Sequence, residues 1–430
     1  MFYCRPITDS QLRRIALTCV AIMTLIQVYL IAHWWNVPQF SDYGEYGRLA
    51  YDAYNAGSWY PSRNQLYGLF IFSPGFVNWL YIQLIILGTL AYNPVFNMLL
   101  NFGIMTCVFR IADTYFSFRT AWISIALYSL LYSTWWCVVP MATELPFLFL
   151  SLLGIQLSLC RRWSWSMAGG LLFAIANSIR PLAILFLMTS ALLVIAKYRE
   201  KNTHVCLRIF SMLAGTAVGV FLIGTASRIS SGHFIFQSST SGINLVYTAN
   251  DEAYGGVAAS LLNKPDNSCH IENHGTLLYS QKDSIWTARA LEWIGENPGK
   301  YLSFIPGKVA GMFVEDSWPD RAVSNTSGSV DAFFHNDMPL PDFITYAANV
   351  IVKSFMYYII ILLFLCSLWI HRKDIPTVKG IWLILLATGI AATCIFAVSP
   401  RYHYPYMFVI VIWAAYSFTP GSHGIRGKTY

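Results

Sequence analysis

SDYGEYGRLAYDAYNAG, residues 41–57, follows an apolar run at 15–35 and carries three carboxylates, Asp42, Glu45 and Asp52, set among tyrosines. The chain has only 21 acids in 430 residues, so three of them in one short stretch need a reason. If the 15–35 run crosses a membrane, this segment emerges on the far face, where a carboxylate could meet a lipid-borne substrate. Arg5, Arg13 and Arg14 precede the run, and positive residues stay on the cytoplasmic side, so the N-terminus is expected inside and Asp42 outside.

Composition agrees with this placement. At 56% hydrophobic and 11% charged, the chain holds more apolar surface than one water-soluble core of this size could hide. Aromatics at 16% suit a membrane protein, because Trp and Tyr collect where headgroups meet hydrocarbon. The net charge of +7 is spread over short loops rather than along a stripe, which argues for orientation in a bilayer and against nucleic acid. The first apolar run is long enough to span and lacks a small-residue cleavage site, so no cleavable signal is expected. Most of the nine cysteines fall inside apolar runs, with Cys269 in the hydrophilic region and Cys137 near a run's end; they read as packing residues rather than a disulfide framework.

Further apolar runs follow at 74–91, 93–111, 119–136, 144–160, 164–178, 181–196, 209–226, 348–370, 381–398 and 404–418. Charge assigns their sidedness: Arg161-Arg162, the 197–208 cluster, His371-Arg372-Lys373 with Lys379, and the Arg426/Lys428 tail all belong in the cytoplasm. Counting back puts 110–119 inside and the 136–144 turn outside, which leaves one run too many after Asp42. The 74–91 run opens with Ser73-Pro74-Gly75 and holds Asn78 and Gln83, so it reads as a re-entrant or interfacial helix. The expected fold is an all-α polytopic membrane protein of about ten to eleven membrane helices; read as ten crossings it has both termini cytoplasmic, and a crossing at 74–91 would require another run to fail. Three regions result: a membrane module at 1–226 with its first external loop at 36–92, an external domain at 227–347, and C-terminal crossings with a tail at 348–430.

Within 227–347 thirteen acids face seven bases and hydropathy falls, as an extracytoplasmic domain of α or α+β type would have it. A helical pattern at 284–294 stops at Asn297-Pro298-Gly299, and the 301–313 segment with Lys308 could lie along the membrane surface. Asn325-Thr326-Ser327 is a glycosylation sequon in this region. No internal repeat is present, which weakens a transporter built from duplicated halves.

Chemistry is expected at four outward turns: 42–52, Glu144 in PMATELP, Arg180 in NSIRP, and Arg401 in SPRYHYP. A carboxylate or guanidinium at the edge of hydrocarbon is costly unless paired or solvated, so each calls for a partner or a function. Asp42 either caps the following helix or acts as a general base. Glu45 and Asp52, seven apart, share a helical face. Glu144 is either a first-turn acid favoured by the helix dipole or a second carboxylate facing Asp42. Arg180 either snorkels to headgroups or, with Arg401, binds a lipid phosphate through its planar fork. His403, among tyrosines, is a candidate acid or phosphate donor, or simply a hydrogen-bonded side chain. Cys269, His270 and His274 lack the second cysteine pair that a zinc site would need.

In order and sidedness these features resemble the GT-C superfamily of membrane glycosyltransferases, in particular the dolichyl-phosphate-mannose protein mannosyltransferase and bacterial aminoarabinose transferase group. The resemblance runs through SDYGEYGRLAYDAYNAGSWYPS, ATELPFLFLSLLG, NSIRPLAILFL, ENPGKYLSFIPGKV and PRYHYPYMFVIVIWA. It implies transfer of a sugar from a polyprenyl-phosphate donor to a lipid, glycan or protein acceptor on the outer face, with inversion, in a bacterial inner membrane. Asp42 would be the catalytic carboxylate and Glu144 a second acid near the acceptor or a divalent metal. Arg180 and Arg401, followed by Tyr402 and His403, would contact the carrier phosphate. Where aminoarabinose-type relatives have a Lys before Pro-Pro, this chain has Phe72-Ser73-Pro74-Gly75, so one phosphate contact is open to Arg48, Arg63 or Lys308. A lipid or solute transporter and a glycan polymerase or ligase using carrier pyrophosphate are the alternatives.

Overall fold

A computed structural model describes residues 8–199, 202–256, 259–324 and 339–419. Arg5, the 325–327 sequon and the Arg426/Lys428 tail lie outside them. In chain order the first helices are α1 (Asp9–His33), α2 (Ser41–Ala56), α3 (Pro74–Leu87), α4 (Asn93–Tyr115), α5 (Phe118–Tyr128), α6 (Tyr132–Trp136), α7 (Glu144–Ser158), α8 (Trp163–Ile179), α9 (Ala183–Tyr198) and α10 (Asn202–Ser231). The 227–347 region contributes α11 (Ser241–Val246), α12 (Tyr279–Glu296), α13 (Pro298–Ser303) and α14 (Ile305–Phe313). The chain closes with α15 (Leu340–Lys353), α16 (Phe355–Ile370), α17 (Gly380–Cys394) and α18 (Met407–Tyr416). Among the described residues there is no strand, only one isolated bridge between Gly256 and Val398, so the described part of 227–347 is α rather than α+β.

Every apolar run is helical, but several are interrupted. The 119–136 run breaks into α5 and α6, and the 348–370 run bends by 60° between α15 and α16. The last run begins as a 3-10 turn, Pro400–Tyr406, before α18. α1, α4 and α10 are long and apolar enough to cross a membrane, and α15 with α16 would make a fourth as one bent span. α3, α7, α9 and α17 are shorter apolar helices of 10–17 residues. α3, at 14 residues, extends about 21 Å at 1.5 Å per residue, short of a roughly 30 Å hydrocarbon layer. Ser73 caps α3 and Pro74 occupies its first turn, where proline's missing N–H is no loss.

Two packing features position the site. α18 is apolar all round and buried on every side, as such a helix must be, and it packs against α5 and α16. Its N-terminal 3-10 turn, which carries Arg401, is thereby drawn into the middle of the bundle. α3 meets α8 so closely that a Cβ on Gly75 would lie 2.1 Å from Ser178 Oγ, and Ser73 Oγ donates to the Ile179 carbonyl at 2.6 Å. That contact locks the start of α3 against the residue before Arg180.

The helices of 227–347 have a second core, built on Ile243, Val246, Cys269, Trp286 and Ala290, to which Phe396 and Ala397 and the earlier residues Leu69 and Phe70 contribute. Lys282 joins loop and domain by donating to the carbonyls of Tyr67 and His274, both at 2.8 Å. Among the described residues all eight cysteines are free thiols.

Candidate functional site

Four charged groups from four separate elements meet at one point. Arg180, at the C-terminal end of α8, donates to Glu144 Oε1 at 2.6 Å. Arg401 donates to Asp42 Oδ2 at 2.6 Å, and its Nε lies 3.9 Å from Glu144 Oε1. Tyr402 joins them: its ring lies 5.3 Å from the Arg180 guanidinium and 5.6 Å from that of Arg401, within cation–π range of both. Glu144 is 1% exposed and Asp42 40%, so the cluster has a sealed end and an open end. Burial works against the charge on Arg401, but Asp42 and its other negative neighbours outweigh it and hold the guanidinium protonated.

Asp42 does not cap α2, which has no side-chain cap; its carboxylate is spent on Arg401 instead. The backbone around it is fixed on both sides. Phe40 N–H donates to the Ala322 carbonyl at 2.9 Å, and Ser41 takes a left-handed φ of +55°, which costs a serine roughly 1 kcal/mol or more. Gln39 makes a two-point clasp: its amide donates to the Val139 carbonyl at 2.9 Å and accepts from Met141 N–H at 2.8 Å. Asn97 of α4 donates to the carbonyls of Val138 and Pro140. The loop before Asp42 and the loop before Glu144 are therefore bound to each other. Glu144 follows in the first turn of α7, as the dipole favours.

The remaining sequence candidates are not drawn into this cluster. Glu45 and Asp52 share a face and grip Arg48 between them at the surface, at 2.5 and 2.7 Å, so Arg48 is engaged away from the other four groups. Arg63 is exposed in the 3-10 turn Arg63–Tyr67. Lys308 is buried, donates to the Cys394 carbonyl at 3.0 Å and lies over the Tyr301 ring; burial drops its pKa from 10.5 to about 8. His403 points the other way from Arg401, because residues two apart in a 3-10 turn face different sides. It is fully buried, with Nδ1 2.8 Å from the Met312 carbonyl and Nε2 3.4 Å from Asp316 Oδ1.

Asp316 belongs to a second acid-rich cluster that sequence reading passed over as external acids. In Glu315-Asp316-Ser317-Trp318-Pro319-Asp320-Arg321 all three acids are buried and matched: Glu315 by Ser317 and Arg321, Asp316 by Ser133 N–H and His403, Asp320 by Tyr132 and Lys353. Tyr43 and Tyr46 were also passed over. Tyr43 lies under Arg401, with its ring 5.8 Å from the guanidinium, and burial pushes its phenol up to about 12. Tyr46 is one helical turn beyond Asp42, a spacing that was readable once 41–57 is taken as a helix.

An apolar cavity of about 530 Å³ lies between α3, α4, α7, α8 and α10; none of the four charged residues lines it, but close sequence neighbours of two of them do. Ile179 and Ser178, next to Arg180, and Pro146, two residues past Glu144, are part of its wall, with Gly75 and Asn78 from α3. Trp79, Leu150, Ile175 and Leu222 line it farther from the charges along the sequence of each helix.

A divalent metal would be held here by hard oxygen donors, and the acids at hand are Asp42 and Glu144. Each is already bound to a guanidinium, and among the described residues no group of three or more His, Cys, Asp or Glu is gathered to hold an ion, at Cys269-His270 or elsewhere. The donor set as it stands does not fit a metal.

No protein-family model and no curated protein matches the chain. Among solved structures it is similar to the oligosaccharyltransferase of Archaeoglobus fulgidus in its apo form, with 11% identity and a TM-score of 0.49, covering 94% of this chain and 50% of that one. The same archaeal protein tethered to an acceptor peptide containing the NVT sequon gives 13% identity and a TM-score of 0.47, covering 94% and 49%. AglB from that organism in complex with an inhibitory peptide and a dolichol-phosphate gives 13% and 0.45, covering 94% and 50%. The chain thus spans about half the length of these proteins, which are of a different kind from the mannosyltransferase and aminoarabinose group that the sequence motifs resemble.

Proposed function

We propose that this chain is a GT-C-type glycosyltransferase that moves a sugar from a polyprenyl-phosphate carrier to an acceptor on the extracytoplasmic face of a membrane, with inversion. The convergence of Asp42, Glu144, Arg180 and Arg401 on one point carries this reading, and an apolar cavity walled in part by the residues next to Arg180 and two past Glu144 supports it. Ten crossings with both termini cytoplasmic belong to it.

The chemistry follows from the charges. Two carboxylates and two guanidiniums balance each other, so an incoming phosphodiester has to compete with the acids for the guanidinium forks. Asp42, at the solvent-open end, is the easier to displace, and losing Arg401 leaves its carboxylate free to accept a proton. The acceptor hydroxyl then attacks the anomeric carbon from the face opposite the phosphate. Its proton passes to Asp42, the bond from the anomeric carbon to the phosphate oxygen breaks, and the carrier phosphate leaves with the electron pair. Arg180 and Arg401 stabilise the charge that builds on the leaving phosphate. The prenyl chain fills the apolar cavity, and Glu144 holds Arg180 in position.

The test is reconstitution in sealed vesicles with prenyl-phosphate-linked and prenyl-pyrophosphate-linked sugars, with identification of the released lipid. Release of prenyl monophosphate and a glycosylated acceptor supports the proposal. Release of pyrophosphate would instead point to a ligase, and movement of intact lipid across the bilayer without bond cleavage would point to a transporter; either result overturns it.

A further inference from the structure

Tyr46 is a side chain that no charge pairing in the site explains. It lies four residues beyond Asp42 on α2 and so shares its face, and its ring is held edge-on by Phe72 at 5.5 Å and Phe76 at 5.0 Å. Phe76 is in the first turn of α3, whose cap residue Ser73 is bonded to the carbonyl before Arg180. The ring is thus fixed from the Asp42 side and from the Arg180 side at once. Among the described residues its hydroxyl has no hydrogen-bond partner, although a half-buried phenol ordinarily finds one. Burial pushes the phenol up, with Asp42 next in effect and Arg401, Glu144 and Arg180 also acting on it, so it is a neutral O–H within electrostatic reach of all four charged groups.

Resting on the glycosyltransferase reading, we infer that Tyr46 is a binding residue for the carrier's phosphate, its unpartnered hydroxyl donating to a phosphate oxygen that the two guanidinium forks leave uncovered. The two non-bridging oxygens of the diester, and the three of the carrier phosphate once it leaves, draw on two forks that are shared with carboxylates, so a further donor has an oxygen to serve. A neutral donor suits the position: a third cation there would have tightened the pairing with Asp42 and Glu144, whereas a phenol adds a hydrogen bond without adding charge. Arg48, Arg63 and Lys308 cannot take the part, because the first is gripped by Glu45 and Asp52, the second lies at the surface away from the cluster, and the third is buried against Cys394.

The experiment uses the full-length protein in detergent with farnesyl phosphate and farnesol, which share a tail and differ in the phosphate. Wild type is expected to bind the phosphate more tightly than the alcohol. Tyr46→Phe keeps the ring against Phe72 and Phe76, so its melting temperature without ligand should be unchanged. It should lose about tenfold in affinity for farnesyl phosphate and nothing for farnesol, as one hydrogen bond to a charged group requires. Equal affinity of Tyr46→Phe and wild type for farnesyl phosphate overturns the role of Tyr46 and leaves the glycosyltransferase reading standing; an equal loss for both ligands assigns the ring to tail packing and also overturns it. A wild type that does not prefer the phosphate over the alcohol defeats the glycosyltransferase reading itself. If Tyr46→Phe proves unstable, 3-fluorotyrosine at position 46, a stronger donor of nearly the same size, must bind farnesyl phosphate more tightly than wild type, or the inference fails.

Discussion

The molecule contains two clusters of acids and bases, and they are built to opposite ends. At Glu315, Asp316 and Asp320 each carboxylate is buried and held by partners from its own surroundings: both oxygens of Glu315 and of Asp316 are engaged, and Oδ2 of Asp320 takes both Tyr132 and Lys353. At Asp42 and Glu144 one acid is sealed and the other 40% exposed, the guanidinium of Arg401 lies between them, and an apolar cavity adjoins. The first arrangement is mortar that binds the 315–322 segment to α6, to α15 and, through His403, to the start of α18. On the proposed function, the second is a set of pairings for which a phosphate competes. A count of buried ion pairs would rank the two alike; whether a competing ligand could break the pairing separates them.

The contrast can be broken by substitution. Asp42→Asn has the largest expected effect: transfer from a prenyl-phosphate donor, followed as release of prenyl phosphate, falls by about 10² to 10⁴, the range for loss of a general base, while the thermal unfolding profile is unchanged. Asp316→Ala should do the reverse. It strips Ser133 N–H and the His403 ring of a partner inside a closed site and costs about 3 kcal/mol of stability, measured by unfolding in detergent, with turnover per folded molecule preserved. If Asp316→Ala abolished turnover in a stable protein, the second cluster would be more than mortar.

Arg401→Lys keeps the charge but loses the planar fork that meets Asp42 and the flat contact with Tyr43 and Tyr402, and farnesyl phosphate affinity should drop roughly tenfold. The smallest effect belongs to Lys308, outside both clusters. Its pKa is lowered to about 8, so between about pH 8 and 10.5 the unfolded chain binds the proton that the folded protein has released, and stability rises with pH across that window. Lys308→Met should therefore stabilise the protein by about 1 kcal/mol at neutral pH, once the lost bond to the Cys394 carbonyl is set against relief of the buried charge, and the advantage should fade as pH climbs through the window. A constant advantage at all pH values would mean that packing, not charge, is responsible.

The site's four charged members were legible because charge at a hydrocarbon edge is expensive: Asp42, Glu144, Arg180 and Arg401 each stood out against an apolar background and each was assigned to the same face. Their pairing was not legible. Nothing in SPRYHYP reveals that the turn is 3-10, and it is the 120° step of that turn that sends Arg401 to Asp42 and His403 to Asp316. The acids of 315–320 read as solvated because they lie in a hydrophilic stretch, yet α6, α15 and the turn before α18 close over them. Likewise, hydropathy saw 119–136 and 348–370 as single spans, whereas the breaks after Tyr128 and at Ser354 are set by tertiary packing: Ser354 Oγ accepts from Asp316 N–H, and Ser133 N–H in α6 donates to the same aspartate. Helix existence was written in the sequence, and helix continuity was not.

The Gln39 amide, bonded at both ends to the strand of chain before Glu144, has a consequence for how the two carboxylates are spaced. Because a single side chain spans the two loops, their separation is gauged by the reach of one glutamine, and on the proposed function so is the width of the gap between the two acids. Shortening it to asparagine would remove the gauge without touching a charge, and substrates of different girth would then compete on more even terms.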